Sequence, residues 1–495
     1  MKYQYIDETG NQLLLPGDFY LPFGGKLRED NRWVKLARLV PWTKVEDHYA
    51  KAFKKTMKGQ KPVSIRVALG ALLIQQQLRL TDRETVEQIS ENPYLQYFIG
   101  FTGFQDREPF HHSLMTHFRK RLDADTLHQI NEWIAVEGAK QIDADEDDHA
   151  SGGGSRSTGK RAAAKQKTDK EDPNQGTLIL DASCAPADIA YPTDLSLLNE
   201  AREKMEAIID TLHAEQIDKK LKPRTYREKA RKAYLTVAKQ RKIGQAKVRK
   251  AIGKQLKFVA RDLRIIEAMA SDIGLEALSK AQYRSLLVTQ ELYRQQLTMY
   301  QQRSHQIDDR IVNLTQPHVR PIVRGKAKAK VEFGAKIAIS MVNGYAMLEK
   351  QAWDNFNEGT TLIDSLESYK TRFGCYPKVV LADKIYRNRE NLNFCKANGI
   401  RLSGPALGRP SKEKQTEQRK LAKHDAGMRN AVEGKFGEGK RKYGLGLIQT
   451  RLRETSETVI ALQLMGMNLA HMLRVLSSLI RSLLICRFFR FRTAI

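Results

Sequence analysis

Apolar and polar positions recur with several different periods along this chain, and the changes of period divide it. Residues 64–78, SIRVALGALLIQQQL, carry apolar side chains at helical spacing. A second short helix follows, because Thr81 and Glu84 have the spacing of a capping box, and it stops before Pro93. Helix, tight turn, helix fits either a DNA-reading helix-turn-helix or an ordinary helical bundle. Residues 176–181, GTLILD, are instead a short apolar run, the pattern of a buried strand ending in Asp181. Long helical patterns occupy 196–324, and their second half, 276–311, reads as a helical hairpin or coiled-coil arm.

Beyond 330 the punctuation is regular. FGAKIAISMV and YAMLEKQAW flank Asn343-Gly344, a strong hairpin signal. TLIDSLESYKTRFG predicts a helix closed by Gly374, and KVVLAD (378–383) a second buried strand, ending in Asp383. NRENLNFCKANG predicts a helix closed by Gly399, IRLSG a short strand, and a basic polar loop (408–423) leads to a helix carrying Glu433. Strand, insertion, hairpin, helix, strand, helix, strand, helix is the order of a mixed sheet layered with helices, an α/β (mixed α+β) core.

Composition adds a partner. The chain of 495 residues has 84 Lys+Arg against 57 Asp+Glu, a net charge of +27. A surplus of that size implies a polyanion, nucleic acid first and an anionic membrane surface second. From 201 to 330 there are 30 basic and 13 acidic residues, and 219–264 has 18 basic residues to two acids, Glu228 and Asp262. That imbalance is too one-sided for ion pairing within helices and favours phosphate contact. Residues 143–175 are poor in apolar side chains and split acidic then basic, as in a disordered linker. The expected organisation is a helical N-terminal DNA-binding domain (1–142), that linker, a catalytic core (176–195 and 325–455) interrupted by a basic helical insertion (196–324), and a helical tail (456–495).

Cys184, Cys375, Cys395 and Cys486 show no C-x-x-C pairing, so neither a disulfide frame nor a zinc ribbon is expected. His111, His112 and His117 are irregularly spaced and have no cysteine nearby, so a metal site is not expected there. The N-terminal MKYQYIDETG has no secretory h-region. The apolar tail is interrupted by Arg474, Arg481, Arg487, Arg490 and Arg492, so no membrane span is expected, and the protein reads as cytoplasmic and reduced.

Two apolar strands each ending in aspartate would, if parallel neighbours, put both carboxylates at one sheet edge, where such sheets bind ligands. Carboxylates so close repel unless a divalent cation joins them, and hard oxygen donors suit Mg²⁺ or Mn²⁺. Two such ions would clamp an in-line phosphodiester displacement, with a third acid holding the second ion. Glu433 fits that role. On a helix, Arg429, Glu433 and Lys440 fall within about 40° of one another. Lys435 is the other cation beside Glu433 in this basic segment. Gly434, Gly437 and Gly439 allow close backbone approach but cost roughly 1 kcal/mol each in a helix, so the helix is expected to end near Phe436. The competing reading pairs Glu433 with Arg429 at i, i+4. Asp188, Asp194 and Glu438 are rival acids, and Trp353 either packs in the core or stacks on a flipped base.

Arg429-x3-Glu433-x6-Lys440 resembles the R-E-K core of the Y-R-E-K signature in bacterial insertion-sequence DDE transposases. DASCAPADIAYPTDLSLLNEARE and ADKIYRNRENLNF are similar to the segments around their first and second aspartates, and residues 64–120 to their helical N-terminal domain. The resemblance spans about residues 10–475. It implies an RNase H-like catalytic core with Asp181, Asp383 and Glu433 as catalytic metal ligands for two Mg²⁺ ions, Mn²⁺ substituting. It implies DNA-phosphate contacts from Arg429 and Lys440, with Lys435 alongside. The implied activity is cleavage at the element's ends followed by attack of the freed 3′-OH on target DNA. The implied partners are double-stranded DNA, as terminal inverted repeats and target, and a second copy of the chain as a homodimer on that DNA. The setting would be the bacterial cytoplasm, at the nucleoid. Three departures stand out: Ala426 replaces the signature tyrosine, Lys384-Ile385-Tyr386 follows the second aspartate, and the insertion separates the first two aspartates. The alternatives are a transposase-derived DNA-binding protein that does not cut, a stand-alone RNase H-like nuclease, and a membrane-surface protein.

Overall fold

The computed structural model describes residues 15–22, 24–51, 63–151, 173–215, 221–323, 331–404 and 412–492, the side chains of 143–151, 412–416 and 479–492 excepted. Among the described residues, seven helices come first: α1 (Arg32–Leu39), α2 (Trp42–Lys51), α3 (Ile65–Leu78), α4 (Asp82–Glu91), α5 (Pro93–Phe98), α6 (Leu114–Arg121) and α7 (Ala124–Ser151). The capping box is present: the Thr81 hydroxyl accepts from Glu84 N–H, and Glu84 accepts from Thr81 N–H at 2.8 Å. The exposed face of α4 carries Glu84, Glu87 and Glu91 against Arg83, the wrong sign for a phosphate-lined groove. Most of the linker expected over 143–175 lies outside the described residues; α7 continues to Ser151.

Strand β1 (Thr177–Pro186) starts the sheet, and α8 (Asp194–Ala214), α9 (Arg227–Ala238), α10 (Gln245–Ile273) and α11 (Lys280–Gln302) follow it. These four helices bury their own apolar contacts, Leu198, Val237, Val259 and Leu292 among them. The sheet resumes with β2 (Arg320–Val323), β3 (Val331–Val342) and β4 (Tyr345–Ala352), then α12 (Leu362–Phe373), β5 (Val379–Leu381), α13 (Arg389–Ala397), β6 (Arg401–Leu402), α14 (Lys412–Lys442) and α15 (Arg453–Arg492). β2 falls inside the stretch expected to be helical throughout; it is a four-residue edge strand whose Pro321 needs no inward donor.

The strand order is β2-β3-β1-β5-β6, with β4 on the same flank of β3 as β2. β3 runs antiparallel to β1, β2 and β4, whereas β1, β5 and β6 are parallel. The hairpin turns at Asn343 (φ 49°) and Gly344 (φ 83°), the left-handed pair that matches strand twist. A Cβ on Gly344 would also meet the His471 ring at 2.5 Å. Gly374 (φ 84°) and Gly399 (φ 67°) close the helices before β5 and β6 as expected.

One sheet face packs Leu178, Leu180, Val342 and Met347 against α12, α13 and the N-terminal helices. The other packs Ile179, Ile337, Ile339, Met341 and Leu381 against Val432 and Phe436 of α14. α15 enters both cores, with Leu462, Met465 and Leu469 in the first and Ile460, Leu464 and Met467 in the second. Its segment Arg453–Ser478 is long and apolar enough to cross a membrane, yet 61% of its most apolar window is buried inside the protein. A helix apolar on all sides is what a strut between two cores requires.

Candidate active site

Parallel pairing of β1 with β5 sets Ile179 opposite Leu381. Two residues on, Asp181 and Asp383 follow on the face that Ile179 and Leu381 share, because strand side chains alternate. That face is covered by α14 through Val432 and Phe436. The flank of α14 beside these two residues carries Arg429 and Glu433. Arg429 Nη1 lies 3.1 Å from Asp383 Oδ1, and its Nη2 lies 3.9 Å from Glu433 Oε1. The i, i+4 pairing weighed from the sequence thus occurs, and the same guanidinium also reaches Asp383, a contact the sequence did not suggest.

Asp181 does not end its strand. β1 runs five residues further, because Ala182, Ser183, Cys184 and Ala185 are small and pair with β3 as far as Gly334. What stops beside Asp181 is β5, whose pairing with β1 ends at Leu381, so the carboxylate stands where the neighbouring strand turns away. Burial pushes the Asp181 carboxyl up to about 6; Glu358 and Glu433 push the same way, while the Ala182 N–H at 2.8 Å and Arg429 oppose them. Asp383 accepts from the Lys384 N–H at 2.7 Å, and Ser403 braces the preceding residue by accepting from Ala382 N–H at 3.0 Å. The Asp383 and Glu433 side chains are 58% and 60% exposed, so the site is an open ledge suited to a macromolecule rather than a closed pocket.

The donors fit a hard cation in kind, three carboxylates with no sulfur or imidazole among them. They are not a finished cage: among the described residues, no three acids, histidines or cysteines stand close enough to share one ion. Positive charge at the centre comes from Arg429.

A family profile described as "Transposase DDE domain" matches residues 380–470, which include Asp383 and Glu433. A second, "Transposase domain (DUF772)", matches residues 22–121, within the N-terminal helices. Over these two segments the chain is similar to DDE-type insertion-sequence transposases. Members of this family are DNA-processing enzymes that generally use divalent metal ions. A curated relative, "Uncharacterized protein ORF8 in nfe locus" of Rhizobium meliloti, is 32% identical over 108 residues, 22% of this chain. The chain spans about half (51%) of that relative's length. No solved structure matches.

The remaining candidates separate clearly. α14 is continuous to Lys442, so the glycines do not end it at Phe436. Gly439 alone of the three is pressed by a neighbouring helix: a Cβ there would meet Met467 Sδ at 2.9 Å. Lys440 lies about 10 Å further along α14 than Glu433. It borders a cleft of about 840 Å³ that Gln75, Arg79, Arg119 and Gln449 also line. Lys435 is not a phosphate ligand. It is 6% exposed on the inner side of the helix, its Nζ donates to Gly344 O at 2.8 Å, and burial pulls its pKa down to about 8. Two residues turn a helix by about 200°, which carries Lys435 away from the Glu433 face.

Asp194 is taken by Arg310 at 2.7 Å and Glu438 by Arg474 at 2.8 Å. Trp353 is 5% exposed and donates to Glu457, which settles it as a core residue. Sequence reasoning missed Glu358. It opens the 3₁₀ turn Glu358–Thr361, pairs with the buried Lys336 at 3.0 Å, and acts on both Asp181 and the buried Tyr386. Only tertiary packing brings it there, since no local motif marks it.

Proposed function

We propose that this protein cuts DNA at the ends of an insertion sequence and joins those ends to target DNA, with Asp181, Asp383 and Glu433 as its catalytic metal ligands. The observation that carries the reading is that the parallel pairing of β1 with β5 ends at Ile179 and Leu381, two residues before Asp181 and Asp383, and that Arg429 and Glu433 of α14 stand beside Asp383. The strand order, with three antiparallel strands followed by two parallel ones, supports an RNase H-like core. The three acids would hold two Mg²⁺ ions, or Mn²⁺, which when bound would neutralise the scissile phosphate and lower the barrier to in-line attack.

The protein's own side chains do the rest by position and charge. Arg429 exchanges its carboxylate partners for a phosphate of the incoming strand, a geometry its planar fork suits. Lys440 takes a phosphate further along. The exposed ledge admits a duplex without a lid. The substrates are terminal inverted repeats and target DNA. Concerted joining of two ends calls for a homodimer on that DNA, in the bacterial cytoplasm at the nucleoid.

The test is Glu433→Ala assayed on a duplex carrying the inverted repeats that flank the coding region. Strand cleavage should fall by at least about a thousandfold, the scale of losing an essential catalytic group, while binding stays within about twofold. Undiminished cleavage would remove the reading. Cleavage without joined products in the native protein would mark a nuclease instead.

A further inference from the structure

The insertion's helix α10 carries a row of cations that the reaction at the acids does not use. Lys247, Lys250, Lys254, Lys257 and Arg264 are all exposed. Their spacing of three, four, three and seven residues confines them to a sector of about 100° on the helix. The buried Leu256, Val259 and Ile266 face the other way, into α8 and α11. The row extends about 25 Å along the axis at 1.5 Å per residue. Between Lys247 and Arg264 the single acid is Asp262, buried on the inner side; the exposed Glu267 follows three residues beyond Arg264, about 60° outside the sector.

Ion pairs of the insertion lie elsewhere, among them Arg202 with Glu206, Lys222 and Arg227 with Asp210, Arg294 with Glu291 and Arg310 with Asp194. Among the described residues, none of the five is in an ion pair. Lys247 and Arg264 meet only neutral acceptors, Gln240 Oε1 and Ala260 O. Five neighbouring cations, none of them in an ion pair among the described residues, repel one another at a cost that a polyanion removes.

We propose that this face of α10 is a docking surface for duplex DNA, read through its phosphates and not its bases. A duplex offers one phosphate per strand every 3.4 Å or so, enough along 25 Å to engage all five cations. A single strand fits less well, because base stacking needs bare aromatic faces. Three rings against α10 are already covered by guanidinium groups: Tyr226 and Phe258 by Arg261, at 4.7 and 5.3 Å from their centroids, and Tyr300 by Arg249 at 4.2 Å. Lysines dominate the row, and lysine meets phosphate as a point charge without reading sequence. The inference rests on DNA being the substrate but not on the three acids, so Glu433→Ala leaves this binding intact and the two ideas fail separately.

The experiment replaces Lys247, Lys250, Lys254 and Lys257 together by Gln in the full chain and follows binding to a random-sequence duplex by anisotropy. Four lost phosphate contacts should lower the slope of log K against log salt by about 3 to 4, and weaken binding by roughly tenfold or more at moderate salt. The end sequences should lose the same factor. Lys→Arg at the same positions should keep the native slope, and a circular-dichroism melt reports that both variants fold. A slope within about one of the native value overturns the proposal. So does a loss confined to end sequences, or a loss seen only with anionic phospholipid vesicles.

Discussion

Asp262 is an acid in the most basic part of the chain, and it is fully buried with neither carboxylate oxygen hydrogen-bonded. Burial, and then Glu206, push its carboxyl up to about 7, although Arg202, Arg261 and Arg227 oppose the rise. The folded state therefore holds this proton more tightly than the unfolded chain does. Stability is unaffected by the group below about pH 4, falls as pH rises from there to about 7, and levels off above. Asp262→Asn should abolish that decline and gain stability at pH 8, on the order of 1.4 kcal/mol for each pH unit over which the decline runs. Thermal unfolding from pH 4 to 8 reads it; parallel native and variant curves would refute it. In the sequence Asp262 is only one of two exceptions in a basic run, and Lys435 only one cation near Glu433. Neither identity reveals burial: packing on α8 and on the Gly344 turn decides it.

At the scale of elements, the parts legible beforehand are those set by local chemistry. Asn343-Gly344 dictates the hairpin, Thr81 and Glu84 cap α4, and Gly374 and Gly399 end their helices through left-handed backbone. The parts that escaped depend on neighbours. β1 outruns Asp181 because β3 is there to pair with it, and α14 survives its glycines because Val432 and Phe436 are held by the sheet. α15 is anchored similarly. Asn468 accepts from Ala346 N–H at 2.8 Å and donates to Ala346 O and to Asn131 of α7, capping the outer edge of β4. Asn468→Ala strands those buried groups and should cost about 2–3 kcal/mol, read as a lower unfolding midpoint. An unchanged midpoint would mean that the clamp carries no weight.

Across the whole molecule, the sheet does for the acids what sequence distance cannot. Asp181 and Asp383 are separated by the helical insertion, and parallel pairing returns them to adjacent strands with α14 across both. The pairing of strands ending in apolar-apolar-Asp was legible as a possibility; the register that makes it a site, and the part Glu358 plays beside it, belong to the folded chain. Arg429 balances Asp383 and Glu433 through one side chain. The most direct test of a divalent-metal role for these acids is single-turnover cleavage by Asp383→Cys, with Mg²⁺ and then with the more thiolate-tolerant Mn²⁺. The account predicts cleavage lost in Mg²⁺ and partly restored in Mn²⁺. Cleavage in Mg²⁺ at the native rate would contradict it.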